Sequence, residues 1–353
     1  MSPISLLILI GTRPEAIKLA PIISLAKTYS EIRLTVVTSG QHPNLLPLLS
    51  FFDITPDVSL TATHMQAELE VLFAKVNPDI VMVQGDTTTA YVGALAAFKC
   101  NIKIAHVEAG LRSGNLQNPY PEEMHRVGIA KLATYHFSPT KIATENLKKE
   151  SVLGTIYEVG NTAIDALHLG LEKLETKKIN LPEVPENTRL ILLTAHRREN
   201  IGDGLHQILK SACDILEQHP DTSIIFPVHP NPAIKQALNH HPIHHQRLHY
   251  FPALDYSDML YLMQKSMLII TDSGGIQEEA PSLGKPVLVT RDVTERPEGI
   301  ALGIAKLVGA NPEKITQEAH RLLTDPIAYK AMVATHNPYG DGRASQRILK
   351  SLY

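Results

Sequence analysis

The sequence predicts an α/β protein made of two doubly wound, parallel-sheet domains. Three observations predict it. Short apolar runs alternate with segments of helical periodicity along the whole 353-residue chain. The apolar runs are continuous rather than alternating, as strands covered on both faces require. A single stretch, 172–188, breaks the alternation: it is rich in Lys, Glu and Pro and has no apolar periodicity beyond Leu174. Residues 1–171 therefore form a first domain, 172–188 a linker and 189–335 a second domain, a division that the chain length also favours.

In the first domain the strands expected are Ser5–Ile10, Leu34–Thr38, Ile80–Gln84, Lys103–His106, Tyr135–Phe137 and Ile156–Val159. In the second they are Leu190–Thr194, Ser223–Pro227, His249–Phe251, Leu268–Thr271, Val287–Thr290 and Ala305–Val308. Apolar spacings of three and four mark helices over Pro14–Ala26, Thr88–Phe98, Leu205–Glu217 and Pro312–Leu323. In parallel sheets of this kind ligands bind beyond the carboxyl ends of the strands, so a cleft between the two domains is the expected site.

Composition excludes several classes. Apolar content of 44% with 20% charged residues describes a water-soluble globular chain. A net charge of −3, no Trp and 5% aromatic residues offer nucleic acid neither a basic surface nor a stacking platform. The run Ile4–Ile10 is too short for a signal peptide, and no run reaches membrane-spanning length. A cytoplasmic protein without membrane insertion is expected. Cys100 and Cys213, far apart in helical patterns, read as buried thiols in a reducing compartment.

The most informative stretch is TDSGGIQEEAPSLGKPVLVTRDVTERPE, 271–298. An apolar strand ends at Thr271-Asp272, and a helical pattern opens after Ser273-Gly274-Gly275. Free N–H groups and the positive dipole end at such a helix start suit an anion, and glycine permits close approach. Glu278 and Glu279, one turn in, are placed to reach a ribose hydroxyl beside a phosphate. The plain alternative is an ordinary loop. The crowd of charges that follows, Arg291, Asp292, Glu295, Arg296 and Glu298, tips the reading toward a ligand. Neither G-x-G-x-x-G nor G-x-x-x-x-G-K-[ST] occurs in the chain.

Polar clusters also follow the other strands. After the first strand, GTRPEAIK sets Arg13 and Lys18 at a helix start, where cations oppose the dipole unless an anion lies there. After the third, Asp86 in GDTTT serves as a helix N-cap or as an acid–base group. After the fourth, Glu108 in HVEAGLR stands beyond a buried strand, and Glu122-Glu123 opens a helix at Pro121, with capping as the bland role. Asp86, Glu108 and Glu122 together would supply general acid–base catalysis. In the second half, His196 in HRREN lies between a strand end and two arginines, placed to stabilise a leaving phosphate. His229 in PVHPNP is similarly placed or shapes a turn. Seventeen histidines raise the question of a metal, but the cluster His240, His241, His244, His245 and His249 has no ligand-motif spacing and reads as a solvated loop. No metal is expected.

These clusters, in this order, resemble the non-hydrolysing UDP-N-acetylglucosamine 2-epimerases. The matching segments are GTRPEAIKLAPI, GDTTTA, HVEAGLRSGN, PYPEE, HRREN, PVHPNP, TDSGGIQEEAPSLGKPVLVTRDVTERPE and HNPYGDGRAS, which span nearly the whole chain. The resemblance implies two Rossmann-like domains of the GT-B type, with a C-terminal helix, about 336–353, crossing back to the first domain. It implies a homodimer that interconverts UDP-GlcNAc and UDP-ManNAc for surface polysaccharide. The carboxylate set and the missing dinucleotide motif lead us to expect no cofactor. It places catalytic groups at Asp86, Glu108, Glu122 and His196, and substrate contacts at Arg13, Lys18, Ser273, Gly274, Gly275, Glu279 and Arg296.

The C2 proton of such a sugar is barely acidic, so the reaction needs either transient oxidation at C3 or loss of UDP from C1. The missing dinucleotide fingerprint disfavours oxidation, and a cationic diphosphate site favours elimination. The family route is elimination to a 2-acetamidoglucal and re-addition of UDP, with the proton delivered to the opposite face. A 2-epimerase acting on another UDP-acetamido sugar and a GT-B glycosyltransferase are the alternatives. Departures from the family pattern are Gln84 before GDTTT, His125 after PEE, a short region from Thr55 to Lys75, and the segment Gln41–Leu48, which in some members binds an activating second UDP-GlcNAc.

Overall fold

The computed structural model describes residues 3–41, 45–177, 181, 188–333 and 336–353. In chain order the first part holds β1 (Ile4–Ile10), α1 (Arg13–Ala26), β2 (Ile32–Thr38), α2 (Leu46–Phe51), β3 (Val58–Ser59), α3 (Met65–Val76), β4 (Ile80–Gln84), α4 (Thr88–Lys99), β5 (Lys103–Val107), α5 (Glu122–Leu132), β6 (Tyr135–Ser138), α6 (Lys141–Lys149), β7 (Thr155–Glu158) and α7 (Thr162–Leu174). The second holds β8 (Arg189–Thr194), α8 (Asp203–Gln218), β9 (Thr222–Pro227), α9 (Pro232–His240), β10 (Leu248–Phe251), α10 (Tyr256–Lys265), β11 (Leu268–Thr271), α11 (Gly274–Glu279), β12 (Val287–Val289), α12 (Pro297–Ala301), β13 (Ala305–Leu307), α13 (Pro312–Thr324) and α14 (Pro326–Met332), with α15 (Ala344–Lys350) closing the chain.

Each half builds one parallel sheet. The first runs β3-β2-β1-β4-β5-β6-β7 and the second β10-β9-β8-β11-β12-β13. Both reverse strand order beside their first strand, between β1 and β4 and between β8 and β11. At such a switch the two adjacent crossovers leave on opposite faces, and the strand ends open into a crevice. The polar motifs after β1, β4, β8 and β11 therefore stand at the switch points of their own sheets.

Why these residues form these elements is visible in their burial. β1 is covered on both faces: Leu6, Leu7, Ile8, Leu9 and Ile10 are fully buried. Leu7 and Leu9 pack with Val81 and Val83 against Leu69, Phe73, Ala94 and Ile129. In the second sheet α8 presents Leu205, Ile208, Leu209, Ala212, Ile215 and Leu216 on one stripe, packed with Ile191, Leu193 and Phe226.

Two compact units result: Met1–Lys173 with Tyr339–Tyr353, and Leu174–Pro338. α7 continues through Leu174, so the stretch 172–188 begins as helix, and residues 178–180 and 182–187 of it lie outside the described residues. The C-terminal helix is shorter than expected. It occupies Ala344–Lys350, because Pro338, Gly340 and Gly342, the last at φ +74°, hold the preceding motif in an irregular turn. The Asp165 carboxylate accepts the backbone N–H groups of Ala344 (3.2 Å) and Ser345 (2.7 Å), which ties α15 to α7 within the first unit.

The expectation of two buried thiols is corrected. Cys100 is exposed and Cys213 half-buried. Cys100 stands at the C-terminal cap of α4, where Phe98, Lys99 and Cys100 have all left the core. No helix among the described residues is long and apolar enough to cross a membrane.

Candidate functional site

In the first unit the loops after β4 and β5 meet α5, and the segment after β1 meets both of those loops. The N-cap of α4 is Thr87, whose hydroxyl accepts the Ala90 N–H at 3.0 Å. This corrects the capping role considered for Asp86, which stands one residue earlier and is released from it. Asp86 instead pairs with Arg126 of α5, and its carbonyl accepts the His125 Nδ1–H at 2.9 Å. Glu108 pairs with Lys18 of α1. Its backbone lies in the left-handed region at φ +64°, costly for a residue with a Cβ and a form of strain concentrated at functional sites. A Cβ on Gly85 would lie 4.0 Å from Glu108 Oε1, so the two carboxylate-bearing loops are neighbours.

Glu122 and Glu123 divide their work. Glu123 is buried: its Oε1 accepts the Ser113 and Gly114 N–H groups at 3.0 and 3.1 Å, and its Oε2 lies 3.2 Å from Arg126. It therefore holds the loop after β5. Glu122, the first residue of α5, is half-buried and stands one turn before Arg126, on the same helix face. Arg13, the first residue of α1, is exposed and has no ion pair among the described residues. Lys18 is half-buried, with its ammonium already committed to Glu108.

Two buried groups behind this cluster were not singled out from the sequence. His106 is fully buried, and its Nε2–H donates to the Gly85 carbonyl at 2.7 Å. Burial pushes its pKa down to about 3, so the ring is neutral. Glu15, also fully buried, accepts the Gly11 N–H at 3.1 Å and the Thr87 hydroxyl at 2.8 Å. Burial raises its pKa to about 7.

In the second unit Asp272, fully buried, organises the switch point between β8 and β11. Its Oδ2 accepts three donors: His196 N–H at 2.8 Å, Arg197 N–H at 2.9 Å and Asn200 Nδ2–H at 3.0 Å. Asn200 also donates to the Thr290 carbonyl at 2.9 Å. His196 Nδ1 lies 3.1 Å from Asp272 Oδ1, within ion-pair distance though off hydrogen-bond geometry. The His196 ring stacks on His229 with centroids 5.1 Å apart. Burial holds the His196 pKa below its usual value, partly offset by the Asp272 carboxylate.

The Ser273-Gly274-Gly275 turn follows directly. Ser273 is the N-cap of α11, and Gly275 is exposed with open space where a Cβ would be. A Cβ on Gly274 would come within 2.9 Å of the Arg296 guanidinium, so glycine lets that cation lie against the start of α11. Backbone N–H groups at a helix start and a guanidinium both favour an anion nearby. Arg296 is anchored by Glu278 at 2.8 Å, and Glu279 accepts the Tyr256 hydroxyl at 3.4 Å. Glu278 is thus committed to Arg296 as well as standing one turn in. Arg291 pairs with Glu199 and Glu295, each at 2.7 Å, bracing the HRREN loop.

Asp86, Glu108, Glu122, Arg13 and Lys18 thus lie on the first unit, and His196, Ser273, Gly274, Gly275, Glu279 and Arg296 on the second. Arg126, Asp272 and Asn200 carry much of the geometry and were missed. Each had a signal: Arg126 lies one turn after Glu122, Asp272 directly follows a buried strand, and Asn200 ends HRREN. In the histidine-rich segment His240, His241 and His244 are exposed, and no group of three or more metal-type ligands is assembled among the described residues. Residues 42–44, part of the departing segment Gln41–Leu48, lie outside the described residues.

Comparison with known proteins follows this geometry. A family model described as UDP-N-acetylglucosamine 2-epimerase matches residues 25–353. The UDP-N-acetylglucosamine 2-epimerase of Bacillus subtilis (strain 168) is 44% identical, over 100% of this chain and 96% of its own length. The crystal structure of UDP-GlcNAc 2-epimerase from Neisseria meningitidis bound to UDP-GlcNAc is similar with a TM-score of 0.89 and 39% identity, covering 99% of each chain. That of the Methanocaldococcus jannaschii enzyme in complex with UDP-GlcNAc and UDP has a TM-score of 0.78 and 33% identity, again covering 99% of each. With two Rossmann-like parallel-sheet domains of the GT-B type and a match along nearly its full length, the chain belongs to the UDP-N-acetylglucosamine 2-epimerase family.

Proposed function

We propose that the protein interconverts UDP-GlcNAc and UDP-ManNAc by eliminating and re-adding UDP. The observation that carries this reading is the division of chemistry between the two switch points. The first unit sets Glu108 beside Lys18 and Asp86 beside Arg126; the second sets Arg296 against the glycine turn that starts α11, and His196 beside Asp272.

In the elimination a carboxylate removes the C2 proton. The C2–H electron pair forms the C1=C2 bond as the C1–O bond breaks, and its electrons leave on the β-phosphate of UDP. Cations and helix-start N–H groups stabilise such a charge; the second unit offers the start of α11, Arg296 and His196 for this, and the first offers Arg13. In the return step the phosphate oxygen attacks C1 of the 2-acetamidoglucal and C2 takes a proton on its opposite face. Two faces require two acid–base groups, drawn from Asp86, Glu108 and Glu122. Ser273, Gly274 and Gly275 hold the diphosphate, Glu279 the ribose, and Lys18 sets Glu108. The active protein is a cytoplasmic homodimer whose product feeds surface polysaccharide.

The test is proton NMR of UDP-GlcNAc incubated with the pure protein in deuterated water. The expected result is UDP-ManNAc carrying one solvent deuteron at C2, without added cofactor. A strict need for added NAD, or a product fully protonated at C2, would remove the elimination route. Turnover only with a sugar acceptor would mark a glycosyltransferase instead.

A further inference from the structure

Glu15 is a carboxyl group without solvent and, among the described residues, without a basic partner. Packing alone does not ask for it: Ala16, Leu19 and Ala20 around it fill the core as α1 should. What it does is bridge. Its Oε2 accepts the N–H of Gly11, in the turn that leads to Arg13, and its Oε1 accepts the hydroxyl of Thr87, next to Asp86. The same hydroxyl oxygen accepts the Ala90 N–H, so Thr87 is held from both sides. One carboxyl therefore links the loop after β1 to the loop after β4, across the switch point.

We propose that Glu15 is a positioning residue for the epimerisation, holding Thr87 so that the adjacent Asp86 keeps its carboxylate against Arg126. The inference rests on the epimerase reading of Asp86. Burial drives the Glu15 pKa to about 7, so the group is kept against a cost that an apolar side chain would not carry. An apolar replacement would leave the Gly11 N–H and the Thr87 hydroxyl without their acceptor. A glutamine of the same shape can accept one of these donors but not both on separate oxygens.

The test uses the full chain and two kinds of readout. Glu15→Gln and Thr87→Val should each lower kcat about tenfold with KM nearly unchanged, the signature of a displaced acid–base group. The double variant should be no slower than either single one. Thr87→Ser, which keeps the hydroxyl, should retain the parent rate. In an Asp86→Asn background Glu15→Gln should cost nothing further, whereas a general loss of structure would still slow the residual exchange. Independently of turnover, the Asp86 carboxyl carbon is followed by NMR in protein labelled at the aspartate side chain and assigned by its loss in Asp86→Asn. That resonance should move in Glu15→Gln and stay in Thr87→Ser. Parent kcat in Glu15→Gln, or rate losses that multiply in the Asp86→Asn background, would overturn the proposal. A parent that fails to exchange C2 at all would sink the epimerase reading alone, and the Asp86 resonance would then decide whether Glu15 positions it.

Discussion

Replacing Asp272 is the sharpest probe of the second unit. Its Oδ2 gathers the N–H groups of His196 and Arg197 and the amide of Asn200, all within 2.8–3.0 Å, in a site closed to water. Hydrogen bonds to a charged acceptor are worth about 1.5–3 kcal/mol and neutral ones about 0.5–1.5. Asp272→Asn keeps an oxygen for the same donors but loses the charge, about 1 kcal/mol per bond, or about 3 kcal/mol in all. Asp272→Ala strands all of them, and with each buried donor costing about 1–3 kcal/mol the loss is about 5 kcal/mol. Urea unfolding of the full chain measures both, and each kcal/mol lost should lower the melting temperature of this unit by about 2–4 °C. A second readout is the imidazole of His196. The Asp272 carboxylate is what offsets its burial, so its NMR titration midpoint should fall further in either variant. An Asp272→Ala protein within about 1 kcal/mol of the parent would refute the idea that this carboxylate holds the HRREN turn.

The remaining predictions are brief. Arg13, exposed and without an ion pair among the described residues, should when changed to Ala weaken UDP binding about 10- to 100-fold by calorimetry while leaving the unfolding midpoint in place. Arg296→Ala should weaken both, because buried Glu278 then loses the guanidinium that pairs with it at 2.8 Å. Gly11→Ala would put a Cβ 2.0 Å from the hydroxyl of buried Thr89, which itself bonds Ser39 and Gln41, and should destabilise the first unit by about 1–3 kcal/mol in denaturant unfolding. Two buried groups set opposite pH limbs. Glu15, raised to about 7, contributes stability below its unfolded pKa near 4.5 and loses about 3 kcal/mol of it as pH rises through 7. His106, lowered to about 3, contributes fully above its unfolded pKa near 6.5 and loses up to about 5 kcal/mol as pH falls toward 3. Glu15→Gln should flatten the first limb and His106→Gln the second; unchanged stability-versus-pH curves would refute both assignments.

Most elements are legible because buried parallel strands are uninterrupted apolar runs. Ile80–Gln84 and Leu268–Thr271 fall where their sequence puts them, and other edges differ by one or two residues. β3, Val58–Ser59, is not legible: two residues carry no period, and only pairing with Val37 and Thr38 makes them a strand. The order of strands in each sheet is likewise a tertiary property, written in no local pattern. At the site, residue types and their places after strand ends were readable, but their partners were not. A cap one residue along, at Thr87, frees Asp86, and a difference of one helical position separates buried Glu123 from half-buried Glu122. Asp272 looked like the end of a strand because its role depends on donors more than seventy residues away in the chain.

The discontinuity of the first unit has a consequence for synthesis. Tyr339–Tyr353 emerge from the ribosome only after the whole of Leu174–Pro338, a delay on the order of ten seconds at about 5–20 residues per second. Until then the faces of α1 and α7 that receive α15 stay uncovered, and Asp165 has none of the α15 amides that it holds in the finished fold. The second unit can therefore finish before the first, and the nascent chain carries an incomplete helical layer over its N-terminal sheet for as long as that takes. Chaperone capture should accordingly focus on the early part of the chain, and a frameshift near residue 339 should unfold the end of the protein that was made first.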